Sequence, residues 1–184
     1  MPEQAEDVGF GDSEYTIAVY IGNQPPMEQY QSLSTLTALN VGDITNIVQY
    51  CGNGWRKVFN VYAKLLYALD TQTFTFATLA PTWQEYRERF LLQAQSKVAL
   101  LFSAPNLSND QSVKQKSKKQ IHIIMGRTYA KSLINSAQLT TQLTWLDDEF
   151  AINKADRIIV CPYFDYRQLS NIKIDRLAAL IKSL

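Results

Sequence analysis

The sequence predicts an α/β fold: a three-layer αβα sandwich whose mostly parallel central sheet has four or five strands. Short, almost uninterrupted apolar segments, typical of strands covered on both faces, are the first reason. They occupy residues 15–21, 98–102, 121–125 and 157–161, and the alternating residues 73–79 are a predicted fifth strand. Amphipathic patterns between these segments are the second reason, because helices that connect buried strands indicate right-handed crossovers and parallel pairing.

Residues 119–137 contain the clearest unit of this kind. The run from Ile121 to Met125 is apolar at four of its five positions and stops at Gly126. Ala130 and Leu133 then begin a spacing of three to four residues, which is helical. The stretch is therefore predicted to be a strand, a turn and an amphipathic helix.

The remaining elements follow in chain order. Residues 1–13 are expected to form a flexible leader and residues 14–184 a single α/β domain, since 184 residues suffice for one large core. Helical patterns are predicted at 27–39 (weakly), 55–69, 83–95 and 172–184, whereas 41–50 fits either a strand or a short helix.

Composition excludes several function classes. Apolar residues make up 46% and charged residues 19%, as in folded globular chains. The net charge of +1 provides no global attraction to nucleic acid. A local basic patch, residues 114–119, is either a solvated connection or a contact for phosphate.

Metal and membrane sites are not expected. Cys51, Cys161 and His122 are the only cysteines and histidine, too few for a zinc or iron–sulfur site, so no metal and no cofactor is predicted. His122 lies inside a predicted strand, which favours a structural role. No signal peptide and no apolar run of ~20 residues is present, so a cytoplasmic protein with reduced thiols and no membrane partner is expected.

An acidic cluster, Asp147-Asp148-Glu149, has two interpretations. Adjacent carboxylates can bind Mg²⁺ or act in acid–base chemistry. Consecutive side chains point in different directions, however, which favours a solvated turn.

The familiar catalytic and nucleotide motifs are missing: the sequence has no GxGxxG after the first strand, no GxxxxGK[ST] and no GxSxG. What remains is four loops at strand ends, residues 22–26, 103–106, 126–127 and 161–166. Parallel strands deliver their carboxyl ends to one edge of a sheet, so these loops are expected to lie together. Gly126 and Arg127 would offer amides and a cation to an anion, and Tyr163 a flat face to a base.

The order of these loops resembles the uracil-DNA glycosylase superfamily, an αβα sandwich with a four-stranded parallel sheet. Its first strand ends in a Gly-x-(Asp/Asn/Ala)-Pro-(Gly/Tyr) loop that positions water and the base, and Gly22 to Pro26 (GNQPP) is similar. Its penultimate strand leads through Leu-Gly into a helix, and residues 121–133 (IHIIMGRTYAKSL), with Met125 before Gly126, are similar. Its last strand leads into a His-Pro-Ser loop, where this chain has Cys161, Pro162 and Tyr163.

Three departures bear on activity. Gln24 stands where the resemblance implies an activating Asp or Asn. Cys161 replaces the histidine that stabilises the departing base, which a neutral thiol does poorly. Tyr163 replaces a serine that holds backbone phosphate. The resemblance therefore implies the fold and the base-binding rim, with the usual cleavage chemistry impaired.

The leading hypothesis is a glycosylase-like domain that binds a nucleotide or nucleic acid, such as DNA, at this rim. The predicted ligand-binding residues are Gly22, Asn23, Gln24, Pro25, Asn106, Gly126, Arg127, Cys161, Pro162 and Tyr163. The alternative is a non-catalytic interaction or scaffold protein, and homo-oligomer formation is compatible with either. A third hypothesis is a small-molecule enzyme that uses Asp147, Asp148 and Asp165.

Overall fold

The structure, a computed structural model, describes residues 6–107 and 119–184, which contain one eight-stranded sheet and six α-helices. The strands are β1 (Gly9–Gly11), β2 (Ile17–Tyr20), β3 (Leu36–Thr37), β4 (Val98–Leu101), β5 (Ile121–Met125), β6 (Thr144–Trp145), β7 (Ala151–Asn153) and β8 (Ile158–Cys161). The helices are α1 (Glu28–Gln31), α2 (Asp43–Cys51), α3 (Asn53–Ala68), α4 (Trp83–Arg89), α5 (Arg127–Asn135) and α6 (Asn171–Lys182).

The sheet has the order β3-β1-β4-β2-β5-β8-β7-β6. Its centre, β4-β2-β5-β8, is parallel and contains the four strands predicted from apolar runs. Antiparallel pairs flank this centre, where β1 meets β4, β7 meets β8 and β6 meets β7. The α/β class is thus confirmed, but the prediction of a mostly parallel sheet of four or five strands is wrong: the sheet is mixed. The outer strands are only two or three residues long, which is too short to give a periodic signal.

The register of the central strands brings their carboxyl ends level. Tyr20 in β2 is paired with Leu101 on one side and Ile124 on the other. Met125 is paired with Cys161 in β8. The loops after β2, β4, β5 and β8 therefore leave the sheet at one edge, as parallel pairing requires.

Helices cover both faces of this centre. One face carries Val19 and Leu100, among others, and packs in a common core with Phe59 of α3 and Leu177 of α6. The alternate residues face the other way, and there Ala18, Tyr20 and Leu101 pack with Ala130 and Leu133 of α5. Burial on both faces explains why these strands are almost entirely apolar.

Residues 9–11 of the predicted flexible leader, residues 1–13, form a strand, whereas residues 1–5 lie outside the described residues. Residues 9–11 form β1, and Phe10 is completely buried. Two glycines permit this: a Cβ on Gly9 would lie 2.1 Å from the Leu100 carbonyl oxygen, and one on Gly11 would lie 2.3 Å from that of Val98. Close approach to β4 thus requires glycine at both positions. In the sequence alone, the same two glycines suggest a flexible segment.

Three other element predictions need correction. Residues 73–79 form a turn and a 3₁₀ segment, Phe76–Thr78, instead of a strand. The helix predicted at 83–95 ends at Arg89, and positive φ angles at Leu92, Gln95 and Lys97 prevent its continuation. The pattern at 27–39 is divided between α1 and β3, whereas the ambiguous stretch 41–50 is the helix α2.

The basic patch and the membrane prediction both involve the undescribed segment 108–118. Of the basic patch at 114–119, Lys114, Lys116 and Lys118 lie outside the described residues, and Lys119 is exposed. Across residues 6–107 and 119–184, no helix combines the length and the apolar character that a membrane crossing needs.

Candidate functional site

A cavity of about 700 Å³ opens at the carboxyl edge of the parallel strands. It is called the rim pocket below, and it is lined by six of the ten predicted residues. These are Gly22, Asn23, Gly126, Arg127, Pro162 and Tyr163. Its volume falls in the range of ~300–1,000 Å³ that is usual for small-molecule sites. The loops after β2, β5 and β8 thus converge on one pocket, as expected.

The loops after β2 and β8 are joined by a side-chain contact. The Tyr163 hydroxyl donates a hydrogen bond of 3.3 Å to Asn23 Oδ1. Burial raises the pKa of Tyr163, so its hydroxyl is neutral at pH 7. The half-buried Tyr163 ring and the exposed Asn23 side-chain amide therefore form one wall of the pocket.

The start of α5 forms the wall between these loops. Gly126 has φ +97°, a left-handed conformation that favours glycine, and its N–H donates to the Cys161 carbonyl at 2.8 Å. No side chain caps this helix among the described residues, and its first turn contains Arg127 and no acidic residue. Backbone amides and a guanidinium at a helix start are suited to an anion.

Arg127 also reaches the acidic side of the pocket. Its Nη1 donates to the Asp148 carbonyl at 3.3 Å and lies 3.7 Å from the Asp148 carboxylate. The two side chains are 47% and 97% exposed. An exposed ion pair of this kind contributes little free energy, so the guanidinium is available to exchange this partner for a ligand.

The rest of the acidic cluster is used in structural contacts. Asp147 Oδ1 accepts hydrogen bonds from the amides of Glu149 and Phe150, and its other oxygen accepts one from Arg176. The Arg176 hydrogen bond and these amides lower the pKa of Asp147 to about 2. Glu149 pairs with Lys173 at 2.7 Å. The described residues contain no group of three or more potential metal ligands.

Asp165 secures the loop that carries Tyr163. Lys57 of α3 lies 3.0 Å from Asp165 Oδ2, and both side chains are nearly buried. Burial raises the pKa of the Asp165 carboxyl, but hydrogen bonds from the Arg167 amide and Lys57 outweigh it and lower the pKa to about 2. Asp165 is thus committed to an ion pair that holds the loop beside α3, which argues for a structural role.

The side chains of Cys161, a predicted site residue, and of His122, for which the sequence predicts a structural role, both lie away from the pocket. Cys161 is completely buried in the core, where burial raises the pKa of its thiol. Only its carbonyl contributes to the site, through Gly126. His122 is 2% exposed and its Nδ1 lies 2.8 Å from the Tyr20 hydroxyl inside the sheet.

The other three predicted residues also lie outside the rim pocket's lining. Gln24 is half-buried and Pro25 is buried, so the loop presents Gly22 and Asn23 instead. Asn106 lines a neighbouring cavity after β4.

Sequence reasoning missed several lining residues, including Tyr129, Ser132 and Gln168. Tyr129 and Ser132 follow Gly126 by three and six residues, so a helix that starts at the rim turns both toward the pocket. The spacing from Gly126 could therefore have predicted that Tyr129 and Ser132 line the pocket. Gln168 lies in the irregular loop after β8, where sequence gives no periodicity.

Comparison with known proteins adds a family. Residues 8–182 match a family described as a family of unknown function, DUF6942, and this range includes every residue of the rim pocket. The comparison with curated proteins and the comparison with solved structures each gave no match. Because the match extends over nearly the whole sequence, the chain belongs to the DUF6942 family.

Proposed function

We propose that this protein binds a nucleotide, or a nucleotide unit of nucleic acid, in the rim pocket. The observation that carries the proposal is that Asn23, Arg127 and Tyr163 line one cavity of about 700 Å³. Asn23 lies in the loop after β2, Arg127 is the first residue of α5, and Tyr163 lies in the loop after β8. A pocket that combines an aromatic face, an amide and a cation contains the groups that a nucleotide needs.

Each group has a distinct role in this proposal. The Tyr163 ring stacks on the base, and stacking of this kind tolerates any base. The Asn23 side chain, which has both a donor and an acceptor, binds the edge of the base. Arg127 and the first amides of α5 bind the phosphate by charge-assisted hydrogen bonds.

The proposal extends to a glycosylase-like fold. A parallel four-stranded centre with helices on both faces, and rim loops in the order seen in the glycosylase resemblance, support it. Glycosidic cleavage is not part of the proposed function. Cys161 stands where the uracil-DNA glycosylases have the histidine that stabilises the departing base. The Cys161 thiol is buried and its pKa is raised, so this thiol cannot stabilise a departing base.

Titration calorimetry with uridine monophosphate and anisotropy with single-stranded DNA test the proposal. We expect Arg127→Gln and Tyr163→Ala to weaken both ligands by roughly 5- to 150-fold, from ~1–3 kcal/mol per contact. Arg127→Gln should also flatten the slope of log K against log salt by roughly 0.7. Exposed residues outside the pocket provide controls, Arg56→Gln and Tyr50→Ala, which should bind like wild type.

Uracil-containing DNA gives a separate readout. We expect binding without release of uracil. Absence of binding to every one of these ligands would overturn the proposed function, and release of uracil would overturn the non-catalytic part alone.

An interaction or scaffold role is the competing proposal. Two apolar side chains, Val41 just before α2 and Tyr50 in its last turn, are 72% and 74% exposed. Their exposure favours a protein-binding surface there. Light scattering of wild type and Val41→Ser/Tyr50→Ser separates a homo-oligomer from a monomer. We also propose a cytoplasmic location, because both cysteines are free thiols.

A further inference from the structure

A second cavity of about 540 Å³ adjoins the rim pocket on the side of β4. It is called the Phe102 cavity below, after the aromatic residue that follows β4. Gly22 and Tyr129 line both this cavity and the rim pocket. The two spaces therefore lie side by side at the carboxyl edge of the sheet and share a wall. Together they are called the groove below.

The shared wall is built by close packing of a ring on a glycine. A Cβ added to Gly22 would lie 3.0 Å from Tyr129 Cδ2 and 3.3 Å from its Cγ. The Tyr129 ring therefore lies flush against the β2 loop, and only glycine leaves it in this position. Burial raises the pKa of Tyr129, so the wall is uncharged at pH 7.

The chemistry of the two cavities differs. The rim pocket contains Arg127, whereas the described lining of the Phe102 cavity contains no lysine or arginine, and its charged residue, Glu6, is an anion. The Phe102 ring itself packs edge-on against Phe10 and Trp55. The aromatic residue that lines this cavity from α5 is the half-buried Tyr129, and polar side chains at Ser103, Asn106 and Gln138 lie beside it. This set suits a flat, uncharged group with a hydrogen-bonding edge, and it disfavours a second phosphate.

We propose that the groove binds two linked nucleotide units that share one phosphate. This inference rests on the proposed function of the rim pocket and adds a second base site to it. The first base and the phosphate occupy the rim pocket at Tyr163 and Arg127. The second base occupies the Phe102 cavity, and Tyr129 separates the two bases. The ligand class is a dinucleoside monophosphate, either free or as a step within a single strand.

Calorimetry with a dinucleoside monophosphate and with the corresponding mononucleotide tests this on the wild-type chain. We expect the dinucleoside compound to bind roughly 5- to 150-fold tighter, the range for one additional stacked base. Equal affinities would overturn the second base site and leave the proposed function intact. Failure of both compounds to bind would overturn the two proposals together.

Variants locate the second base. Asn106→Ala, at a residue outside the rim pocket, should remove most of the gain in affinity while leaving mononucleotide binding within about twofold of wild type. Tyr129→Leu, which retains apolar packing at the shared wall, should also remove most of the gain. Tyr50→Ala, an exposed tyrosine outside the groove, is the matched control and should retain the gain. A gain that survives in both groove variants would overturn the assignment of the Phe102 cavity, and melting curves establish that each variant is folded.

A tetranucleotide distinguishes the two sources of the ligand. Binding as tight as that of the dinucleoside monophosphate supports a groove open to a strand, and weaker binding supports the free compound. A further large gain from the additional nucleotides would overturn a groove limited to two bases.

Discussion

The ion pair between Lys57 and Asp165 is expected to stabilise the fold by an amount that can be measured with the single substitution Asp165→Asn. Both side chains are 12–13% exposed, and the pair joins α3 to the loop that carries Tyr163. In Asp165→Asn the shape and an acceptor remain while the charge is lost. The variant therefore reports the contribution of the carboxylate itself.

The magnitude follows from the pKa of Asp165, which folding lowers from 3.8 to about 2. One pKa unit corresponds to ~1.4 kcal/mol, so the carboxylate contributes about 2 kcal/mol at pH 7. Because the folded pKa is the lower one, this contribution is complete above about pH 5. It is lost as the pH falls through 3.8 toward 2. In a chain of this length, 2 kcal/mol lowers Tm by roughly 4–8 °C.

Urea unfolding followed by tryptophan fluorescence, at pH 7, 5, 4 and 3, measures the difference in free energy of unfolding between wild type and Asp165→Asn. We expect about 2 kcal/mol at pH 7 and 5, and a smaller difference at each lower pH. Asp148→Asn is the matched control, since its side chain is 97% exposed, and should lie within about 0.5 kcal/mol of wild type. A difference below about 0.5 kcal/mol at pH 7, or one that does not shrink with acid, would show that the Asp165 carboxylate does not stabilise the fold through Lys57.

Three further predictions concern residues of the core and of the rim. Tyr86→Phe should raise the free energy of unfolding by about 1 kcal/mol in urea titrations, because the buried Tyr86 hydroxyl has no hydrogen-bond partner within the described residues. Alkylation of the native chain with iodoacetamide, read by mass spectrometry, should modify the half-buried Cys51 and spare Cys161 until unfolding. Gly22→Ala should displace the Tyr129 ring and lower Tm, whereas Gly54→Ala, in open space on α3, should leave Tm unchanged or raise it.

Each of these has a result that would contradict it. A destabilised Tyr86→Phe would mean that the hydroxyl is bonded after all, and native labelling of Cys161 would mean that β8 is accessible to solvent. Equal Tm changes in the two alanine variants would mean that Tyr129 does not pack on Gly22.

Much of the fold can be predicted from the sequence because its centre is buried on both faces. Ile158–Cys161 is a continuous apolar run, and Ile121–Met125 is interrupted only by His122. A buried strand is the structure that such runs favour. The outer strands could not be found in this way. In β1, for example, the strand depends on how close Gly9 comes to Leu100, which is a tertiary contact.

For the candidate site, too, the positions of the loops could be predicted from the sequence, whereas tertiary details could not. Gly22, Gly126 and Tyr163 could be predicted to lie together because each follows a parallel strand, and topology alone brings such loops to one edge. Side-chain direction could not be predicted. Cys161 is the last residue of β8 and points into the core, whereas Gln24 lies in the correct loop but outside the lining.

Nucleotide binding in the rim pocket can be located residue by residue by nuclear magnetic resonance. Uridine monophosphate is titrated into ¹⁵N-labelled protein, and amide resonances are followed. We expect concentration-dependent shifts at Gly22, Gly126, Arg127 and Tyr163, with little change at Tyr50 on α2. The absence of shifts at saturating nucleotide, or shifts confined to α2, would contradict nucleotide binding in the rim pocket.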